Sequence, residues 1–407
     1  MNGSNKTPFY TVLLENGKSI TYLIEELRAE DCDKEDDIIQ FVIKTSDFSV
    51  VNNKFLQVGR KLKIRFGFLA GLTFDIWLME ISERVPVHSA ILTFKVTATA
   101  LSYVMKKGSD TRGYENKKPS EIISDIAKKN GLKVDLKGIQ DTVIDKINQA
   151  NRSDWDFLTD LLKKQPGGPY RMTVKNDRLR VQKIDLKKKP GLQLFLGPGG
   201  NLKSFSPKEK ENTKTGAAAA VTVTNQDPET GKPQVQVKVN RANSKDIDLG
   251  FGATMGRVNG KVDLGFGNDT GNILSKFRRS DALASGFPDT NPEKQKAYAQ
   301  NKSQLQNLGE LEATAELGEG DPRFKPEMIL PVRGVGKLYS GNWYCKKVIH
   351  VITRSGGYSG SVELDRNATA TAVAATTPPS NQKNTQPDGG DVNKINLQLY
   401  LPNGLLK

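Results

Sequence analysis

The chain has 407 residues, 60 Lys and Arg against 46 Asp and Glu, a formal charge of +14, two cysteines and two histidines. It exceeds the about 250 to 300 residues at which one hydrophobic core stops growing, so at least three domains are expected. Cys32 and Cys345 lie far apart without a CxxC or His/Cys cluster, which argues against a zinc site or a disulfide framework and fits assembly in a reducing compartment. The longest apolar run, Phe66 to Ile81, is broken by Asp75 and is too short to cross a bilayer, and Met1 to Tyr10 shows no secretory signal, so a soluble chain without membrane insertion is expected.

Residues 8 to 105 read as strands. Phe41 and Ile43 alternate with Val42 and Lys44, Leu62, Ile64 and Phe66 with Lys61, Lys63 and Arg65, and Thr93 to Ala100 alternates again. Ile20 to Arg28 supplies a short helix or a strand. From Lys106 the period changes to helical. Pro119-Ser120 precedes Ile122, Ile123, Ile126 and Ala127 and ends at Lys128-Lys129-Asn130-Gly131, which predicts a helix capped by Ser120. Ser153 caps a second helix, Asp154 to Lys164, with Asp156 at the capping-box position and Trp155, Leu158 and Leu162 on one face. Pro166-Gly167-Gly168-Pro169 stops it, and Tyr170 to Asp185 reads as a hairpin turning at Lys175-Asn176-Asp177-Arg178.

A second β region starts at Leu192, Leu194 and Leu196, is broken by Gly197-Pro198-Gly199-Gly200, and continues as strands between Thr222 and Val239. Asp248 to Gly252 recurs as Asp263 to Gly267 in a glycine-rich stretch, which reads as a surface loop with two similar turns or as a partner-contact loop. Asn291-Pro292 opens a helix reaching Leu308, and Leu311, Ala313, Ala315 and Leu317 alternate strictly with polar residues as a half-buried strand. Gly320 to Ala368 is then a β meander: a strand through Met328, Leu330 and Val332, a turn at Gly334 to Gly341, a strand Trp343 to Thr353 apolar on both faces, as a bulge or double coverage would require, and Tyr358 to Arg366 with Val362 and Leu364 dry and Ser361, Glu363 and Asp365 wet. Residues 369–391 have linker composition. In 392–407, Ile395, Leu397, Leu399 and Leu401 share one face of a docking strand that either folds back on its own chain or docks on another subunit.

The sequence offers no nucleophile with a base. His88 and His350 sit in apolar, strand-like runs and read as hydrogen-bonded structural imidazoles. Glu25-Glu26, Glu30-Asp31 and Asp36-Asp37 read as solvated runs rather than catalytic pairs. Gly250 to Gly256 has GxGxxxG spacing with no following GKS or GKT, so a phosphate loop is not indicated. Lysine pairs such as Lys106-Lys107 and Lys163-Lys164 fall at element ends and read as solvated, without a specific nucleic-acid motif. No catalytic, cofactor-binding or metal residue is assigned, and a non-enzyme is expected.

The order of parts, with QANRSDWDFLTDLL at 149–162, Gly320-Asp321-Pro322 and the stretch Gly341 to Ala368, resembles the contractile-tail baseplate hub proteins of bacteriophages. This is the late control D group, akin to the hub part of VgrG spike proteins, and the resemblance spans residues 8–368. It implies a mainly β fold with an α/β insert: a tube-like β-barrel domain at 1–106, the insert at 107–186, and a second tube-like barrel at 187–368 with a loop insertion at 241–290. It further implies a ring-forming homotrimer in the virion tail, assembled in the host cytoplasm. That trimer would join a sixfold tail tube to a threefold central spike, contact other baseplate proteins and meet DNA only in transit. The lumen is expected to be neutral or acidic, because dense phosphate attraction would hinder sliding. The alternatives are the hub of a tailocin or another contractile injection system, and a tail-associated peptidoglycan hydrolase, although no lysozyme domain or spike repeat is visible.

Overall fold

The computed structural model describes residues 7–68, 73–185, 188–209, 220–226, 233–240, 282–285, 295–296, 298–299, 301 and 311–366. Most of the insertion expected at 241–290, the linker 369–391, and the docking residues Ile395, Leu397, Leu399 and Leu401 lie outside these residues.

The first lobe follows from alternation. Strands β1 (Pro8–Leu14), β2 (Ile24–Cys32), β3 (Ile38–Thr45), β4 (Lys61–Phe68), β5 (Thr73–Val87) and β6 (Leu92–Thr99) pair in the order β1-β4-β5-β6-β3-β2, each neighbour antiparallel. Val12, Phe41, Ile43, Ile64, Phe66, Phe94 and Val96 point into one core because period-2 strands send every second side chain to the same face. A 3-10 turn at Thr21–Leu23 leads into β2, so Ile20 to Arg28 contains both helix and strand. The sheet curls until β1 meets this segment. Ile20 N–H donates to Val12 C=O at 3.0 Å, Val12 N–H to Thr21 Oγ1 at 2.9 Å, and the Tyr10 hydroxyl to Ile24 C=O at 2.5 Å.

Next comes the insert, with α1 (Tyr103–Lys106), β7 (Asp110–Lys117), α2 (Pro119–Lys129), β8 (Lys133–Lys137), β9 (Ile144–Arg152), α3 (Asp154–Lys164), β10 (Tyr170–Lys175) and β11 (Arg178–Lys183). The apolar faces of α2 and α3 close over β10, β11 and β8 around Ile122, Ile126, Leu158, Leu161, Leu179 and Val181. Ser120 does not cap α2. Pro119 takes the first helical position, and Glu121 reaches back to accept from Lys118 N–H at 2.9 Å, while Ser120 bonds Asp141. Ser153 does cap α3, accepting from Asp156 N–H at 3.0 Å. Ser153→Ala should therefore cost about 1 kcal/mol in urea unfolding, and a change within error would show the cap to be redundant. Asn176, left-handed at φ 56°, makes the tight turn from β10 to β11.

The second lobe contains β12 (Leu194–Phe195), β13 (Leu202–Glu209), β17 (Leu311–Leu317), β18 (Ile329–Arg333), a short helix α4 (Gly336–Tyr339), β19 (Gly341–Thr353) and β20 (Tyr358–Arg366). Strand β17 buries Leu311, Ala313, Ala315 and Leu317 as its alternation requires. The two-faced apolar pattern of β19 reflects a bulge between Cys345 and Lys347. It shifts the side-chain parity, so Trp343 and Cys345 and then Val348, His350 and Ile352 are all buried. The turn expected at 334–341 contains α4, whose end carbonyls at Tyr339 and Ser340 accept from the buried Arg366 guanidinium at 3.2 Å. Asp365 is buried rather than wet because Lys346 reaches it at 3.2 Å.

The separate β regions read from the sequence share one 12-stranded sheet. Its path runs β1-β4-β5-β6-β3-β2-β19-β20-β17-β13, with β18 on β19 and β12 on β18. The join is the antiparallel pairing of β19 with β2, Lys347↔Cys32 to Thr353↔Glu26. Strand β19 serves both lobes because it is 13 residues long, its first half lying on β18 and its second on β2. The path is open among the described residues, so strand pairing closes neither region into a ring. The cores remain two, with Ile352 in the first and Trp343 and Val348 in the second.

Strands β14 (Ala220–Gln226) and β15 (Pro233–Asn240) form the expected antiparallel pair, with β16 (Ala282–Ser285) parallel to β14. Residues 295, 296, 298, 299 and 301 are helical within the helix expected from Asn291.

Candidate functional site

The two histidines lie in different settings. His350 is fully buried, its Nδ1 lies 3.0 Å from the Tyr358 hydroxyl, and its ring packs on Phe66; burial, aided by the Lys325 charge, pushes it down to about 3. His88 lies past the end of β5, exposed, stacked on the Phe48 ring at 6.0 Å, so its place is a surface stack rather than a strand interior. Burial raises both cysteines, Cys32 to about 12, which keeps them thiols. Among the described residues, no group of three or more His, Cys, Asp or Glu is arranged to hold a metal, and no helix is long and apolar enough to cross a membrane.

The distinctive polar feature is a junction where both lobes and the insert meet. A cleft of about 520 Å³ is lined there by Asp31, Asp37, Asp75, Lys175, Lys325 and Glu327 among others. Hairpin strand β10 carries Lys175, which lines the cleft, and Arg171, four residues away and therefore on the same face, which is buried beside it. The Arg171 guanidinium, 5% exposed, lies 2.7 Å from Asp33 of the first lobe and 3.2 Å from Glu327 of the second, with the Tyr344 ring 5.3 Å away. Lys175 pairs with both Asp31 and Asp37, and Lys325 pairs with Asp75 of β5. Glu327 has a left-handed backbone at φ 69°, pinned by its N–H to Cys345 C=O at 2.8 Å and by side-chain contacts with Arg171 and Gln182. Holding a non-glycine residue there costs of order 1 to 3 kcal/mol, so the surrounding contacts enforce this geometry.

Electrostatics explains why the junction holds. Burial alone would lower the Arg171 and Lys175 cations, but Tyr344, Asp33 and Glu327 around the first, and Asp31 and Asp37 around the second, outweigh it and raise both. Burial raises the Asp33 and Asp75 carboxyls against the pull of Arg171 and Lys325. Asp37 is pushed up to about 7 by burial and by Asp31, with which it shares the Lys175 ammonium. Folded Asp37 thus keeps its proton up to about pH 7, whereas an unfolded aspartate loses it near 4, so this carboxyl withdraws stability as pH rises through that window. Asp37→Asn should flatten the decline: between pH 5 and 8 the variant loses less denaturant stability than the wild type, and parallel profiles would sink this assignment.

The solvated reading of Glu30-Asp31 and Asp36-Asp37 is corrected here. Asp31 and Asp37 are buried, Glu30 pairs with Arg28 and Lys347, and Asp36 pairs with Lys106. The partners of Asp31, Asp33 and Asp37 lie about 140 residues away in the chain, and no local spacing announces them. The cysteine between them, an apolar residue in an acidic run, was the available signal of burial.

In comparisons with known proteins, the family model described as Alg8 N-terminal domain matches residues 38–208. That span starts at the first residue of β3 and ends inside β13, so it divides the shared sheet instead of following a unit of it. No curated protein matches the sequence. Solved structures match along most of the chain. They include the 43 kDa tail protein of prophage MuSo2 from Shewanella oneidensis (TM-score 0.62, 13% identity, 89% of this chain and 100% of that one). A tail protein from Neisseria meningitidis MC58 gives a TM-score of 0.63 at 13% identity over 90% and 98%. The prophage tail protein gp18 from Listeria monocytogenes EGD-e gives 0.53 at 10% identity over 88% and 94%. The chain shares a mainly β fold with these tail proteins.

Proposed function

We propose that this chain is a structural baseplate hub of a contractile phage tail, a homotrimer that adapts the sixfold tail tube to a threefold central spike and lines the DNA channel. The observation that carries the reading is likeness over nearly the full length of both chains to a prophage tail protein and to a second protein described as a tail protein. The build suits such a role. Two cores strung on one continuous sheet, with the insert clamped between them by buried ion pairs, make a stiff wall segment. In this reading residues 1–106 and 187–368 are the two tube-like units and 107–186 is the insert. Three chains then present six such units, which matches a sixfold neighbour while keeping a closed threefold ring. Partners would be the distal tube, the spike and other baseplate proteins, in a virion tail. Native mass measurement of tail-derived particles should give three copies per hub. Six copies, or one, would overturn the symmetry argument. Incubation with purified cell walls should release no muropeptides, and release would favour a hydrolase.

A further inference from the structure

Among the described residues, the seam of the first lobe is incompletely closed: strand β1 pairs with β4 along its whole length, but on its other edge the hydrogen bonds between described residues run from Val12 onward, to residues 17–21. The odd residues Phe9, Thr11 and Leu13 face β4 in the alternation of an antiparallel ladder, which turns the Tyr10 N–H and C=O toward the open edge. There a groove of about 400 Å³ is lined by Pro8, Phe9, Tyr10, Tyr22, Thr353 and Arg354 among others. Tyr22 is 66% exposed on its rim, beside the exposed Glu25 and Glu26. A free strand edge next to exposed aromatic surface is the arrangement that added strands complete.

We infer that the chain's own segment Ile395–Leu401 docks in this groove as an added strand beside β1 and seals the seam. Its alternation supplies one apolar face, Ile395, Leu397, Leu399 and Leu401, to lie over Tyr22 and Phe9, and Lys394 precedes it while the exposed Glu25 and Glu26 follow Tyr22 by three and four residues in the chain. Length fits as well. Strand β20 begins next to the groove, where Tyr358 pairs with Ile352, and its nine residues carry the chain about 30 Å away at 3.3 Å per residue. A flexible chain of 28 residues, the number from 367 to 394, would have a root-mean-square reach of about 29 Å, which matches the return distance. The inference deepens the docking role that the sequence suggests for 392–407, and it is independent of the number of copies in a hub.

The test is disulfide trapping in the full-length chain. Cys32 and Cys345 are buried and do not compete. Tyr22→Cys is combined in turn with cysteine at positions 395, 397, 399 and 401, and the oxidised products are sized and mapped by mass spectrometry. An intramolecular cross-link to one or two of these positions is expected. Cross-linking only between chains, or none above a control at Asn396, overturns the assignment. In parallel, Leu397→Asp with Leu399→Asp should speed exchange of the Tyr10 amide, the β1 N–H that faces the groove, about tenfold, the factor one net hydrogen bond is worth, and unchanged exchange also overturns it. Particle mass tests the hub reading separately, since a trimer without the cross-link rejects only the docking.

Discussion

Replacing Arg171 by methionine should lower unfolding stability by about 3 to 5 kcal/mol, the cost of breaking a buried ion pair while one charge stays behind. The side chains of Arg171 and Asp33 are 5% and 1% exposed, and Glu327 is 21% exposed, so neither carboxylate recovers full hydration when the guanidinium is removed. The loss should be non-additive. Asp33→Asn combined with Arg171→Met removes the more deeply buried of the two stranded carboxylates, and part of the stability should return. Arg171→Lys should fall between, because one ammonium cannot span two carboxylates as a planar fork does. Denaturant unfolding of the three variants checks this; a single-variant loss below about 1 kcal/mol would mean that the junction is not what holds the insert to the lobes.

Gly334→Ala should cost about 2 to 5 kcal/mol, combining a left-handed backbone with an overpacked site. Gly334 has φ 79°, and a Cβ there would sit 1.9 Å from the Leu196 carbonyl oxygen and 3.2 Å from the Phe195 ring. The carbonyl cannot step aside without parting β12 from β18, whose pairs Leu194↔Val332 and Phe195↔Arg333 are extended by Leu196 N–H to Arg333 C=O at 3.0 Å. Gly336→Ala is the internal control. Its φ is 82°, but nothing lies within 4 Å of its Cβ, so only the backbone cost of about 1 to 2 kcal/mol applies. Equal losses at the two positions in thermal or denaturant unfolding would show that the close approach at Leu196 carries no weight.

Local periodicity made a large part of this molecule legible. The alternation in β3, β4, β6 and β17 placed Phe41, Ile64, Val96 and Ala313 in the cores, and the Ser153 cap and the hairpin at Asn176 follow from residues only a few positions apart. The cap of α2 was misplaced by two residues because Pro119 and Glu121 compete with Ser120 for the same helix start. Strands β7 and β9 were missed because their polar pattern buries only Tyr114 and Gln149. The bulge in β19 was visible as a mixed pattern, although its consequence, one strand serving two cores, was not.

The mainly β class, the helical insert and the two-faced character of β19 were thus determined by the sequence itself, since each rests on interactions within about a dozen residues. Only the tertiary structure decided that the β regions share one sheet and that Asp31, Asp33, Asp37, Arg171, Lys175 and Glu327 converge. The physical reason is range. An acidic run is solvated or buried according to whether a cation some 140 residues away is folded against it, and burial of a charge is stable only when that partner arrives.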